Sequence, residues 1–329
     1  MMLTDEGQSV TTGISMASAA EQRKLCALNI DMDPIDHYLR ARSYEPRAVT
    51  NLNAVYDDAL PRFLDIFDRY KAKVTFFIVG KDAACPRNQP RIREIVTRGH
   101  EVANHTYSHF QRFQHLNTEE QRKEIDEAGK QIEDVAQTRV IGFRAPGWGI
   151  SEHTLDVLEE LDYRYDSSVF PSRLLTGIAS VNWLLNRGRL ARTLGGSHQV
   201  GQAPKLPYHP APGALWKRGA RRILELPMAV LPGVELPFLG TVSFLLGRGF
   251  FRASFRYLAR FDRPVVYGLH GIELVDYHTM IQDDRLKVKA GLGKPLAEKL
   301  SLYALMLSCF RQRYTFVTMR DLADAYQKN

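Results

Sequence analysis

Three short segments of the sequence combine residue types that can bind a metal ion or transfer a proton. The first is Asp31-Met32-Asp33, which ends the apolar run 26–33. Side chains at positions i and i+2 of a strand point to the same side, so both carboxylates are predicted to face one site. A polar turn before Pro34 is the alternative interpretation of these residues.

The second segment places His105 and His109 four residues apart. Imidazoles at this spacing can bind one metal ion from a helical turn or a curled loop, although two ordinary surface histidines can show the same spacing. With Asp33 they would make three ligands and leave one position for water, as catalytic metal sites do. A metal ion there would polarise an amide carbonyl and lower the pKa of its water from about 15.7 toward about 7.

The third segment is FRAPGWG at 143–149. An arginine that leaves a strand at this point, Arg144, can hold a nearby carboxylate through two parallel hydrogen bonds. The backbone N–H groups that follow it can bind an oxyanion. A well-formed turn between a strand and a helix is the alternative interpretation.

Strands and helices must position these residues, and the hydrophobic pattern predicts that they alternate. The predicted strands are 26–33, 73–80, 100–104, 140–144, 264–269 and 314–318. The predicted helices are 55–71, 90–98, 118–137 (with a capping box of Thr118 and Gln121), 152–161 (capped by Ser151), 296–313 and 320–327. This order implies a mainly parallel sheet, open or closed into a barrel, whose active site lies at the C-terminal ends of the strands.

The composition predicts a globular protein in a reducing compartment. Of 329 residues, 44% are hydrophobic and 25% are charged, and the three cysteines are scattered without CxxC spacing. Residues 1–23 lack a continuous apolar block and are predicted to form a flexible arm before a single domain at 24–329. The apolar stretch 226–246 is broken by prolines and glycines, which disfavours a transmembrane helix. A cytoplasmic location is predicted.

Residues 173–263 break the alternation and are predicted to be a basic, proline-rich insertion in this domain. They contain 14 basic and three acidic residues, a net charge of +11, so the rest of the chain carries −4 of the total +7. Seven of the 16 prolines lie between Pro204 and Pro237. Charge this concentrated indicates an anionic partner such as phosphate or an acidic lipid surface.

Two parts of this segment resemble membrane-surface helices. Arginines recur every four residues at Arg248, Arg252, Arg256 and Arg260, beside Phe251, Phe255 and Leu258. A second candidate is Trp183-Leu184-Leu185, followed by Arg187, Arg189 and Arg192. Both are typical of a basic amphipathic helix on a membrane. In the alternative interpretation the apolar side packs on the barrel and the arginines are simply solvated.

Taken in chain order, the segments resemble the polysaccharide deacetylase family, carbohydrate esterase family four, across about 24–172 and 262–327. The acidic motif matches Asp31 and Asp33, the H-[ST]-x-x-H motif matches 105–109, and the R-x-P motif matches Arg144 and Pro146. A D-S-S type motif matches 166–168, and an L-x-H-like motif matches Leu269-His270. Five motifs in the right order are much more specific than any one of them.

The resemblance implies a distorted (β/α)7-type barrel and a metal-dependent carbohydrate N-deacetylase. It implies that Asp31 is the general base and His270 the general acid, with Arg144 orienting Asp31 and Asp166 tuning His270. The Gly147 amide would bind the oxyanion. The implied ligands of a divalent ion, zinc or else cobalt, manganese or nickel, are Asp33, His105 and His109. Two departures are Met32 between the acids and Phe170 where the family often has tryptophan.

The Asp-x-Asp form and the basic apolar segment are similar to the branch that acts on lipid-linked sugars of the bacterial envelope. That branch includes undecaprenyl-phosphate aminoarabinose deformylases and hexosamine deacetylases. The predicted partners are therefore an N-acetylated or N-formylated amino sugar on a polyprenyl phosphate and the anionic inner face of the cytoplasmic membrane. Nucleic acid is not an expected partner.

Three other functions remain open on the sequence. They are an exopolysaccharide-locus deacetylase, an allantoinase-like amidohydrolase acting on a small soluble substrate, and a non-catalytic carbohydrate- or membrane-binding protein. Glu273 and Asp276, just after His270, are candidates to touch substrate hydroxyls or an ammonium group. Histidines without a partner at ligand spacing are interpreted as surface residues: His37, His115, His153, His198, His209 and His278.

Overall fold

The computed structural model of the chain describes residues 24–40, 51–174, 199–286 and 292–327. The predicted N-terminal arm, 1–23, lies outside the described residues. So does the second membrane candidate, 183–192.

Strands and helices alternate through most of the described chain. The strands are β1 Lys24–Asp31, β2 Thr75–Ile78, β3 Glu101–Asn104, β4 Gly142–Phe143, β5 Tyr165–Asp166, β6 Pro210–Ala211, β7 Ala214–Arg218, β8 Leu224–Glu225, β9 Val265–His270 and β10 Tyr314–Val317. The helices are α1 Ile35–Arg40, α2 Leu60–Tyr70, α3 Gly80–Ala84, α4 Gln89–Thr97, α5 Thr118–Ala136, α6 Glu152–Glu160, α7 Gly240–Leu258, α8 Leu296–Arg313 and α9 Met319–Gln327.

Seven parallel strands curve into a barrel in the order β9-β1-β2-β3-β4-β5-β8. The chain just after β8 turns back to β9, because the Ala229 amide donates to the Val266 carbonyl at 3.0 Å. β10 pairs with the first half of β1. This arrangement confirms the predicted distorted (β/α)7-type barrel.

Alternation along the strands divides the core in two. Inward-facing residues such as Ala27, Phe77 and Val266 form one buried cluster inside the barrel. Their outward-facing neighbours pack under the helices in a larger cluster, which includes Phe63 and Phe67 of α2. The same alternation sets Asp31 and His270 on the inner side at the C-terminal ends of adjacent strands.

The predicted helix boundaries are largely confirmed, with one correction. Ser151 caps α6 by accepting a hydrogen bond from the Thr154 amide at 3.2 Å. The capping box of α5, however, is one residue earlier than predicted, since Asn117 accepts from the Glu120 amide and Glu120 from the Asn117 amide, both at 2.9 Å. Asparagine is among the strongest N-cap residues.

Residues 173–263 are more integral to the barrel than an insertion would be. They supply the barrel strand β8, and α7 packs beside β9 and α8. Part of their charge is structural, because the buried Arg221 is held by three carboxylates of α6, Glu152, Asp156 and Glu159. Among the described helices, none combines the length and the apolar character needed to cross a bilayer.

Candidate active site

A buried carboxylate and two imidazoles meet where the ends of β1 and β3 come together. Asp33 Oδ1 lies 3.3 Å from His105 Nε2 and 3.1 Å from His109 Nε2. Its other oxygen, Oδ2, accepts a hydrogen bond from the Tyr38 hydroxyl at 2.8 Å. The structure therefore brings together the three residues that the resemblance implies as metal ligands.

The loop after β3 has the curled shape that turns both imidazoles toward Asp33. Thr106 and His109 have φ values of 63° and 53°, a left-handed conformation that costs a non-glycine residue about 1–2 kcal/mol. The first residues of α3 hold the curl in place, because the Gly80 amide donates to the Thr106 carbonyl at 2.9 Å. The strain is thus offset by contacts outside the loop.

The outer nitrogen of His105 is held by the main chain. His105 Nδ1 lies 2.7 Å from the Arg144 carbonyl oxygen, which can only accept a hydrogen bond. Nδ1 therefore carries the hydrogen, and in the neutral ring Nε2 faces Asp33 with its lone pair. An outer partner of this kind is what fixes the tautomer of a metal-binding histidine.

The electrostatics of this corner fit a divalent cation. Asp33 Oδ1 is buried and receives no hydrogen bond of acceptable geometry from the described residues. Burial alone would raise the pKa of Asp33, but the nearby His109 and His105 outweigh it and hold that pKa well below its usual range. Burial likewise opposes charge on His105, yet the hydrogen bond to Asp33 and the charge of Asp31 raise the pKa of His105 overall. An ionised carboxylate facing two imidazoles suits zinc and similar ions.

His37 also belongs to this corner, so its interpretation as a surface histidine is wrong. It lies on α1, is only 7% exposed, and places Nδ1 2.9 Å from His109 Nδ1. Asp33, His37 and His109 each have a potential metal-binding atom, and these three atoms lie within 4.8 Å of one another. The signal in the sequence is the spacing of four between Asp33 and His37, at the start of a helix.

Arg144 connects the second carboxylate, Asp31, to the barrel interior. Its Nη1 donates to Asp31 Oδ1 and to Asn29 Oδ1, both at 2.6 Å, while Nε and Nη2 donate to the carbonyl and hydroxyl of Ser167 at 2.9 Å. The guanidinium carbon lies 4.1 Å from the centre of the Phe77 ring. The fully buried arginine thus holds one oxygen of Asp31, not both as the sequence predicted.

The turn with the predicted oxyanion donor follows β4. Gly147 lies in it at φ 60° and ψ 20°, a conformation that glycine adopts without steric cost. Ser168 braces this turn, because its Oγ accepts from the Ala145 amide at 2.8 Å and donates to Asp166 Oδ1 at 2.6 Å. Asp166 therefore supports the turn through Ser168.

Asp166 does not meet His270 in the described part of the chain. Tyr165 faces the barrel interior, so the next residue of β5 faces outward and meets Glu225 of β8. Burial and then the charge of Asp166 raise the pKa of Glu225 well above its usual range, and burial also raises that of Asp166. Glu225 Oε2 receives no hydrogen bond from any residue in the described ranges, which fits a proton shared between the two carboxyl groups.

His270 instead contacts residues of its own side of the barrel. It ends β9 as the register partner of Asp31, and its Nδ1 lies 3.1 Å from Thr241 Oγ1 and 3.5 Å from Glu273 Oε1. The ring of Trp148 stands edge-on at 6.4 Å, and Phe170 packs 5.2 Å from Trp148. These two rings form an apolar wall beside His270, against which a small acyl group can pack.

Residues 43–165 match the model of the polysaccharide deacetylase family. This segment of the chain is therefore similar to a polysaccharide deacetylase domain. A peptidoglycan-N-acetylglucosamine deacetylase of Bacillus cereus is 30% identical over 105 residues, which are 32% of this chain. The alignment spans 47% of that protein, about half of its length.

Two solved structures share the barrel. One, assigned as a polysaccharide deacetylase from Mycobacterium smegmatis, aligns with a TM-score of 0.61 at 19% identity over 94% of this chain and 93% of its own. The other, PuuE allantoinase, gives 0.58 at 14% identity over 93% and 90%. At these identities the likeness shows the fold alone.

Part of the candidate site lies inside the matched deacetylase segment. His105, His109, Arg144 and Gly147 fall within it, whereas Asp31, Asp33, Asp166 and His270 lie on either side. The barrel nevertheless brings most of these residues to the same end. The catalytic roles remain predictions.

Proposed function

We propose that this protein removes an N-acyl group, acetyl or formyl, from an amino sugar by metal-dependent hydrolysis. The observation that carries the proposal is the orphaned Asp33 Oδ1, buried between two imidazole nitrogens 3.1 and 3.3 Å away. Asp31 and His270 stand beside it as register partners on adjacent strands. A cation site flanked by a base and an acid is what amide hydrolysis requires.

Asp33, His105 and His109 would hold the divalent ion, for which zinc is our proposal. When bound, the ion would polarise the acyl carbonyl and make a bound water acidic. Asp31 would accept the proton of that water. Arg144 occupies Oδ1 of Asp31 and would leave Oδ2 to receive that proton.

His270 would complete the reaction on the leaving group. The carbon–nitrogen bond breaks as a proton moves from Nε2 of His270 to the departing amine. The Gly147 amide would donate to the oxyanion of the tetrahedral intermediate. Solvent then restores the proton of His270 and removes that of Asp31, so the products are a free carboxylic acid and an amino sugar.

Acetate and formate release from N-acyl amino sugars tests this proposal. Asp31→Asn should lower turnover by at least about 100-fold while metal content stays near that of the wild type. His105→Ala should lower both. His115→Ala, which changes an exposed histidine, should alter neither. Normal turnover in Asp31→Asn would show that another group is the base.

The finer proposal is that the sugar is linked to a polyprenyl phosphate and is met at the inner face of the cytoplasmic membrane. The support is the surface of α7. Thr241, in its first turn, contacts His270. One turn further along the helix, Leu245 and Leu246 are 69% and 53% exposed. Apolar side chains this exposed beside an active site indicate contact with lipid.

Exposed arginines follow these leucines along α7. Arg248, Arg252 and Arg256 form no ion pair within the described residues, in contrast to the structural Arg221. Gly247, at φ 81° and ψ −176°, interrupts the helix between the leucines and the arginines. An anionic bilayer would take up the positive charge while Leu245 and Leu246 enter its interface.

Sedimentation with phosphatidylglycerol or phosphatidylcholine vesicles tests the membrane contact. Replacing Arg248 and Arg252 by glutamine should weaken binding to the anionic vesicles, since each surface arginine contributes about 1 kcal/mol, or about fivefold. The matched control replaces Lys217 and Arg218, two exposed basic residues of β7, and should retain more of the binding. If both double variants lost vesicle binding equally, net charge alone would explain the effect, and α7 would be refuted as the contact surface.

A further inference from the structure

Thr241 and Glu273 lie beside the outer nitrogen of His270, and Tyr303 contacts Glu273 from behind. Thr241 Oγ1 lies 3.1 Å from His270 Nδ1 and donates its hydrogen to Glu273 Oε1 at 2.9 Å. The Tyr303 hydroxyl of α8 donates to the other oxygen of Glu273, Oε2, at 2.7 Å. Both carboxylate oxygens of the buried Glu273 are therefore engaged by donors, and the residue is fixed in place.

The single hydrogen of the Thr241 hydroxyl settles the tautomer of His270. Since that hydrogen goes to Glu273, the Thr241 oxygen can only accept from His270 Nδ1. Nδ1 then carries a hydrogen in both charge states of the ring, and Nε2 is the nitrogen that gains and loses the transferable proton. A general acid needs this division of roles between its two nitrogens.

Close packing of α7 keeps the three partners together. A Cβ added to Gly240 would lie 2.6 Å from Leu269 Cδ2 and 2.9 Å from Glu273 Oε2, so a larger residue there would displace these side chains. Glu273 itself lies in the short 3-10 turn Gly271–Leu274, directly after β9. His270, Glu273 and Thr241 are thus held together by the end of β9, the turn that follows it and the start of α7.

We propose that Glu273, acting through Thr241, is the positioning residue of the general acid His270, a role that the family resemblance had assigned to Asp166. The inference rests on the proposed function, because it takes His270 as the proton donor. Glu273 holds Nδ1–H in direction and stabilises the positive charge that the ring carries before it gives up its proton. Asp166, on the outer side of β5, supports the turn that contains Gly147.

Other titratable groups also lie around His270. Asp31 and Asp33 lie on the side of β1. On the side of α8, Tyr303 contacts Glu273 directly, and the charge of Lys299 lies near it. The variants must therefore change Glu273 or Thr241 without altering these groups, and a metal titration of each variant verifies that the Asp33 corner is intact.

Glu273→Gln keeps the side-chain shape, removes the charge and replaces one of the two acceptor oxygens by a donor, whereas Thr241→Val breaks the connection. We expect each to lower kcat/KM by about 10- to 100-fold, within the total of about 10²–10⁴-fold that a general acid supplies. The alkaline limb of the pH profile should move to lower pH in Glu273→Gln, because the protonated acid has lost a nearby negative charge. Thr241→Ser should restore the wild-type rate.

Asp166→Asn is the decisive comparison. Whatever it does to the rate, we expect the alkaline limb to stay at its wild-type pH. Glu298→Gln, an exposed carboxylate of α8, should match the wild type in both respects. A wild-type rate and profile in Glu273→Gln, or a moved limb in Asp166→Asn, would overturn the assignment.

A measurement independent of turnover separates this inference from the proposed function. Nitrogen-15 NMR of histidine side chains reports which ring nitrogen carries the hydrogen. We expect the Nδ1–H form for His270 in the wild type and in Thr241→Ser, and its loss in Thr241→Val. An Nε2–H form in the wild type would refute the inference even if the protein is active. The Nδ1–H form in a protein without N-acyl hydrolase activity would refute the proposed function alone.

Discussion

Replacing His37 by alanine would remove the ring nitrogen that pairs with the outer nitrogen of His109. The two Nδ1 atoms are 2.9 Å apart, and the two residues are 7% and 4% exposed, so water cannot readily take the vacated place. A buried hydrogen-bonding nitrogen that loses its partner costs about 1–3 kcal/mol. Loss of an outer partner of a metal-bound histidine typically lowers affinity about 10- to 100-fold. The two magnitudes agree, because a factor of ten in affinity is about 1.4 kcal/mol. We therefore expect His37→Ala to bind Zn²⁺ about 10- to 100-fold more weakly than the wild type.

Competition with a chromophoric chelator measures this affinity on protein first freed of metal. His37→Asn is the conservative comparison, because its side-chain amide can donate or accept a hydrogen bond in the place of Nδ1, and it should regain most of the affinity. Continued weak binding in His37→Asn would indicate instead that His37 coordinates the ion directly. His115→Ala should bind like the wild type. Wild-type affinity in His37→Ala would refute any contribution of His37 to the metal site.

Three further predictions concern stability. Glu225→Gln should stabilise the protein more at pH 8 than at pH 5, as measured by urea unfolding. Because the pKa of Glu225 is raised in the folded protein, the free energy of unfolding falls as the pH rises above about 4.3, the pKa of a glutamate in the unfolded chain. The pKa of His100 is lowered to about 4, mainly by burial and to a lesser extent by the charge of Lys73. The free energy of unfolding therefore falls as the pH falls from about 6.5 to 4. His100→Asn, which keeps an acceptor for the Val74 amide, should remove up to about 3 kcal/mol of that loss. Zn²⁺ at 100 times its Kd should stabilise the wild type by about 2.7 kcal/mol and Asp33→Asn by much less, as measured by thermal unfolding with and without a chelator.

Most of the fold is predictable from the sequence because its signals are local. The helix Leu296–Arg313 has the predicted bounds, and Ser151 caps α6 as expected. The capping box of α5 was misplaced because Thr118 with Gln121 and Asn117 with Glu120 satisfy the same spacing. The strand β8 was missed because two residues, Leu224–Glu225, are too short a run to show alternation.

The site was predictable where the chemistry depends on spacing and less so where it depends on distant contacts. Asp33, His105 and His109 could be grouped by residue type, and the loop geometry brings them together. Glu273 was recognised as a candidate but was assigned to the substrate. Its contact with Thr241, 32 residues away, depends on how α7 packs on β9, which no local pattern reports.

The position of the base relative to the acid depends on register. Asp31 pairs with His270, and two residues earlier Asn29 pairs with Gly268, so alternate residues of both strands face the interior. A slip of one residue would turn Asp31 outward and leave Arg144 without its carboxylate inside the barrel. The buried Arg144 opposes such a slip, because it binds Asn29 and Asp31 on one strand and Ser167 beyond β5. The residue that orients the base therefore also fixes the register that sets base and acid side by side, and substitution of Arg144 should damage the fold and the chemistry together.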